Sequence, residues 1–88
     1  MDDFKSVVQQ TTYKVDYGRI RMKLPEILDK YGITRNRLAT LTGVKYEIID
    51  RYYKEKVERI DTDLLAKVCF VLNCQISDLL EYLPPKNV

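Results

Sequence analysis

The chain has 88 residues, with fifteen Lys and Arg, thirteen Asp and Glu, and neither His nor Trp. That length provides for one domain with a small core, and 45% hydrophobic against 32% charged residues describes a globule rather than a disordered segment. Without histidine there is no Ser-His or Cys-His nucleophile pair, no His-bearing metal site and no histidine pH switch, so the commonest catalytic designs are excluded.

The formal net charge of +2 is unevenly spread: residues 1–18 carry −1, residues 19–59 carry +5 and residues 60–88 carry −2. A basic centre between weakly acidic flanks suits a polyanion partner on one face, the alternative being a solvated surface with scattered lysines. Cys69 and Cys74 would stand about 140° apart on a helix, form no C-x-x-C motif and lie in an apolar run. They are expected to be buried free thiols, in a reducing compartment, and no metal or cofactor is expected. No apolar run reaches about 18 residues and no charged leader with an apolar segment precedes the domain, so the expected location is cytoplasmic.

Residues 1–12 are polar and without a sustained period, an arm in character. Tyr13, Val15 and Tyr17 then alternate with Lys14 and Asp16. After Gly18 the alternation resumes with shifted parity, Ile20, Met22 and Leu24 against Arg19, Arg21 and Lys23. This predicts extended strand with a bulge or turn at the glycine, docked on the body or paired with a second copy. Pro25 opens a first helix carrying Leu24, Ile27, Leu28 and Tyr31 on one stripe, which Gly32 closes. Thr34 caps a second helix containing Leu38, Ala39 and Leu41, ended by Gly43. A third begins near Val44 or Lys45 and runs to about Lys54, with Tyr52 expected in the core and Tyr53 exposed. The charged connector Glu55 to Arg59 leads to a fourth helix, capped by Asp61 or Thr62, carrying Leu64, Leu65, Val68, Cys69, Val71 and Leu72, and closed by Asn73. So apolar a helix is expected at the centre. Ser77 is the expected cap of a last helix with Leu79, Leu80 and Leu83, stopped by Pro84 and Pro85.

The most specific signal lies in residues 34–53. Two short helices meet at Thr42-Gly43-Val44, with small Ala39 where they approach, Gly43 tolerating positive φ, and Val44 and Ile49 wedged beneath. This is the spacing of a helix-turn-helix, whose second helix can enter the DNA major groove. The run Ile33-Thr34-Arg35-Asn36-Arg37-Leu38-Ala39-Thr40-Leu41-Thr42-Gly43-Val44 resembles the first half of a Cro/cI-type (XRE superfamily) helix-turn-helix. The run Leu64 to Cys69, continued through Leu72-Asn73-Cys74-Gln75-Ile76-Ser77-Asp78-Leu79-Leu80-Glu81-Tyr82, resembles that family's fourth and fifth helices. It is especially similar to a small stand-alone bacterial subgroup ending in a Leu-Leu-Glu-Tyr-like segment before proline. The resemblance implies an all-α, five-helix, phage-repressor-like helix-turn-helix domain, here preceded by a short N-terminal β-strand or hairpin. It further implies a sequence-specific double-stranded DNA-binding protein, usually a transcriptional repressor acting as a dimer. The domain would span residues 20–85, after an arm with possible strand at 1–19 and before a tail at 86–88.

Matched to the family's positions, Lys45, Tyr46, Glu47, Ile48, Asp50 and Arg51 are the base-reading candidates. Arg35 and Arg37 at the start of the second helix, with Lys54, Lys56 and Arg59 after the third, are the phosphate-contact candidates. Chemically, Arg51 can bond guanine O6 and N7, Ile48 can pack on a thymine methyl, and Glu47 can accept from cytosine N4. The lysines and Arg59 would add affinity without sequence information. Arg51 can equally pair with Glu47 at i,i+4, and a solvated face accounts equally for Lys54 and Lys56 around Glu55. Three features depart from the family: Lys45 replaces the usual Ser or Thr cap, Lys54-Glu55-Lys56 replaces a common glycine turn, and Glu47 and Asp50 place acids on the reading face.

Two functions remain open: a DNA-binding regulator, and a protein-interaction module or antitoxin-like component using the same fold. An enzyme is not expected, because the chain has no nucleophile-base pair and no Gly-rich phosphate loop. For a dimer, two surfaces are candidates. One is the strand Arg19, Ile20, Arg21, Met22 and Lys23, whose edge could pair with a second copy. The other is the last helix with Leu80, Tyr82 and Leu83, and of the two the strand is favoured.

Overall fold

The structure, a computed structural model, describes residues 15–86. In chain order it contains β1 (Arg19–Met22), α1 (Leu24–Tyr31), α2 (Arg35–Thr42), α3 (Tyr46–Tyr53), α4 (Thr62–Leu72), α5 (Ile76–Leu79) and β2 (Leu80–Leu83). The helix punctuation follows the chemistry of the boundary residues. Thr34 Oγ1 accepts from the Arg37 N–H at 3.0 Å, and Asp61 Oδ1 accepts from Asp63 at 2.9 Å, so each cap satisfies an orphan donor. Gly32, Gly43 and Asn73 end α1, α2 and α4 in the left-handed region.

The core is formed by one apolar stripe from each helix. Leu38 of α2, Ile49 of α3 and Leu79 of α5 are completely buried, and α4 inserts Leu64, Leu65, Val68 and Leu72 between them. The centre of the molecule is α4, as its apolar content predicts, but only on one side: Phe70 on its far face is 86% exposed. Tyr52 is buried with its hydroxyl accepting the Asp61 N–H at 2.9 Å, which satisfies the polar tip of a core aromatic. Tyr53, expected on the surface, is half-buried against the core.

The C-terminal segment differs most from the sequence reading. A helix through Leu83 was expected; α5 is a single turn whose Gln75 N–H is accepted by Asp78 Oδ2 at 2.8 Å, so Gln75 and not Ser77 is its N-cap. At Leu80 the backbone turns extended (φ −125°, ψ 143°) and β2 pairs antiparallel with β1, Arg19 opposite Leu83 and Met22 opposite Leu80. The residue before a proline avoids the helical region, which disfavours helix at Leu83, and β1 offers a ladder in its place. The Lys23 N–H extends that ladder to the Leu79 carbonyl at 2.6 Å. The strand expected from residue 13 begins only at Arg19: Tyr13 and Lys14, like the arm at 1–12, lie outside the described residues, and residues 15–18 are not strand. The Asp16 carboxylate instead accepts the Gly18 N–H at 2.9 Å, and Gly18 turns at φ +84°. A Cβ there would stand 2.2 Å from the Leu83 carbonyl oxygen, so the parity slip read at the glycine marks a close approach of two backbones.

Candidate nucleic-acid interface

The turn between α2 and α3 is built as the spacing requires. Gly43 stands at φ +73° and donates to the Ala39 carbonyl at 2.9 Å, while Thr42 Oγ1 donates to the Leu38 carbonyl at 2.8 Å. Ile49 and Tyr52 anchor α3 in the core, so the opposite face, with Tyr46, Glu47, Asp50, Arg51 and the following Lys54, is turned outward. Lys45 is the N-cap residue of α3 and its side chain makes no capping bond.

These outward residues differ in what holds them. Glu47 and Arg51 are both exposed, and among the described residues neither is in an ion pair, so the i,i+4 pair open to them is not formed. Asp50 is the most confined: its carboxylate accepts from Arg35 Nη1 at 2.6 Å and lies 3.0 Å from Lys54 Nζ. The Lys54 ammonium first, and the Arg35 guanidinium after it, hold Asp50 below the usual carboxylate range against the opposing effect of partial burial. The acid expected to face bases is therefore an internal counter-ion. Arg35, expected on phosphate, is pinned by that bond and by Tyr53, whose ring centroid lies 4.3 Å from the guanidinium carbon. Its side chain remains one-third exposed.

Two shallow cavities flank α3 and share Ile48. At its start, a cavity of about 350 Å³ brings Lys45 and Ile48 together with Lys67 of α4. At its end, one of about 280 Å³ brings Arg51, Lys56 and Arg59 to one rim. On the other flank stand Arg35 and Lys54, with Arg37 exposed on the first turn of α2. Cations from α2, α4 and the connector thus stand on both flanks of α3, with Asp61 and Asp63 beside them in the first cavity and Glu58 in the second.

Sequence reasoning missed three residues that shape this surface. Lys67, paired with Asp63 at 3.0 Å, reaches it from a helix read only as core. Tyr53 is the platform under Arg35. Glu55 takes the left-handed conformation (φ +57°) in the turn after α3, and its carboxylate accepts the Met22 N–H at 2.9 Å and pairs with Arg19 at 3.3 Å. That bond explains how the turn forms without glycine. The strand candidates for a dimer are engaged within the chain: β1 pairs with β2 along one edge, Glu55 takes the Met22 N–H on the other, and the Met22 side chain is in the core.

A family model described as the Cro/C1-type HTH DNA-binding domain matches residues 23–85. Among solved structures the chain is similar to the transcriptional regulator VanUg (crystal form II), with a TM-score of 0.65 and 25% identity over 82% of this chain and 95% of that one. Among curated proteins it is similar to the glutamine–fructose-6-phosphate aminotransferase (isomerizing) of Methanocaldococcus jannaschii, 32% identical over 78 residues. That match takes in 89% of this chain but spans only 7% of the aminotransferase, so the likeness is to a short part of a much longer protein.

Proposed function

The chain belongs to the Cro/C1-type HTH DNA-binding domain family, and on that premise we propose that it is a sequence-specific double-stranded DNA-binding transcriptional regulator, a repressor, acting as a homodimer. In this reading α3 enters the major groove. Tyr46, Glu47, Ile48 and Arg51 meet base edges, Lys45, Lys67, Lys56 and Arg59 meet one phosphate strand, and Arg37, Arg35 and Lys54 the other. The observation that carries the reading is an Arg51 without an ion-pair partner among the described residues, beside Glu47 on a helix with cations on both flanks and with Asp50 neutralised by Arg35 and Lys54. The likeness to VanUg, a transcriptional regulator, supports it further.

Among the described residues no helix is long and apolar enough to cross a membrane. The deciding experiment is selection of bound duplexes from a random DNA pool at about 0.15 M salt, where nonspecific affinity is weak. Recovery of an inverted repeat is the expected result. Recovery of no motif would overturn the reading and favour the protein-interaction alternative.

A further inference from the structure

Asp50 puts a carboxylate on the outward side of the helix that is to meet phosphate-bearing DNA, and its partners show how that acid is used. Oδ1 accepts from Arg35 Nη1, at the start of α2, at 2.6 Å, and Oδ2 lies 3.0 Å from Lys54 Nζ, just past the end of α3. Each oxygen holds a different cation, so one side chain ties the start of one helix to the end of the next. The Asp50 side chain is 19% exposed, against 34% for Arg35 and 52% for Lys54, which sets the acid beneath and the two cations at the rim. Arg35 is held a second time by the Tyr53 ring, whose centroid lies 4.3 Å from the guanidinium carbon. Of the five N–H donors of Arg35, only one at Nη1 is engaged in a side-chain hydrogen bond among the described residues, and the others are left for a further acceptor.

We propose that Asp50 is a positioning residue for DNA: it presents Arg35 and Lys54 as a preformed pair of phosphate contacts, and so raises DNA affinity although its own charge repels phosphate. This rests on the DNA-binding reading of the preceding section and gives a role within it to the acid that faces no base. Two opposed effects decide the sign. A carboxylate about 6 Å from a phosphate in water weakens binding roughly threefold, and salt screening reduces that further. Ordering a free Arg or Lys side chain at the moment of binding weakens it roughly two- to tenfold for each. Two side chains ordered in advance therefore outweigh one screened repulsion. The cluster of two cations and one carboxylate still carries +1, so it attracts a polyanion as a unit. Charge alone predicts the reverse, that removing an acid from this face strengthens binding, and the two accounts separate on one substitution.

The test is fluorescence anisotropy of the full chain on a labelled mixed-sequence duplex of about 20 base pairs at about 50 mM salt, where phosphate contacts dominate, well below the melting temperature of every variant. Asp50→Asn keeps the shape of the side chain and one acceptor oxygen but loses the charge. It is expected to weaken binding about fivefold or more, with part of the loss recovered by Asp50→Glu. In a chain already carrying Arg35→Gln and Lys54→Gln, the same Asp50→Asn should instead leave affinity unchanged or raise it by up to about threefold, because only the repulsion is left to remove. A general disturbance of the fold would weaken binding in both backgrounds. Unchanged or tighter binding by Asp50→Asn in the natural background, or an equal loss in the two backgrounds, would overturn the proposal while the wild type still binds the duplex. A wild type that does not bind the duplex would overturn the DNA-binding reading, and this role of Asp50 with it.

Discussion

Arg51 and Glu55 stand four residues apart and do opposite work. Arg51 has no ion-pair partner among the described residues, so its guanidinium is available to a ligand without first breaking an internal bond. Arg51→Ala is expected to weaken specific DNA binding by about 1–3 kcal/mol and to relax preference at one base position, read by competition among operator variants. Lys56→Ala should weaken all sequences alike and reduce the salt slope by roughly one unit, since it exchanges one phosphate contact for released counterions. Glu55 is committed to the fold. The Met22 N–H, and then the Arg19 guanidinium, hold its carboxyl below its ordinary value of 4.5 against the effect of partial burial. A depressed folded-state value means that the stabilisation is complete above the unfolded value. It is lost as pH falls below about 4.5 and through the folded value. Urea midpoints measured from about pH 6 to pH 3 should therefore fall further for wild type than for Glu55→Gln, which cannot titrate but keeps an acceptor. Equal falls would show that other carboxylates, Asp50 among them, account for the acid sensitivity.

Between elements, two contacts decide the architecture. In the helix-turn-helix the completely buried Leu38 and Ile49 hold α2 against α3. Leu38→Ala is expected to destabilise the fold by about 2–5 kcal/mol, because neighbours locked by capped helices cannot collapse into the space. DNA affinity measured well below the melting temperature should be recovered if the loss is of stability alone. In the strand pair, Gly18 passes so close to the Leu83 carbonyl that no side chain fits, and it does so at positive φ. Gly18→Ala should destabilise by about 1–3 kcal/mol through strain and a displaced strand end. Hydrogen exchange at the β1 and β2 amides should rise more than at α4, and a uniform rise would refute a local effect.

For the molecule as a whole, charge and apolar surface are segregated. Of the +5 carried by residues 19–59, +3 lies on residues 35–59 in α2, α3 and the connector, with Lys67 added from α4, while the groove walled by Ile60, Leu65 and Leu80 on the other flank of α4 is uncharged. Raising salt should weaken DNA binding steeply, because counterion release dominates it. Operator affinity measured at about 0.1 M and 0.3 M salt checks this. An affinity that barely changes with salt would show that phosphate contacts do not carry the binding.

By itself the sequence determined α1 to α4, the caps at Thr34 and Asp61, and the turn of the helix-turn-helix. These depend on residues a few positions apart: Thr34 with Arg37, Ala39 with Gly43, Asp61 with Asp63. The outward placement of Glu47 and Arg51 was legible through the resemblance to the Cro/cI-type family. Only the tertiary structure decided the rest, because the deciding partners are distant in the chain. Asp50 is neutralised across 15 residues by Arg35, Glu55 anchors Met22 across 33, and Arg21 meets Glu81 across 60. For the same reason Leu80–Leu83 is strand: the short segment Leu-Glu-Tyr-Leu suits a helix turn or a ladder equally, and pairing with β1, with Pro84 behind it, settled which backbone bonds could form.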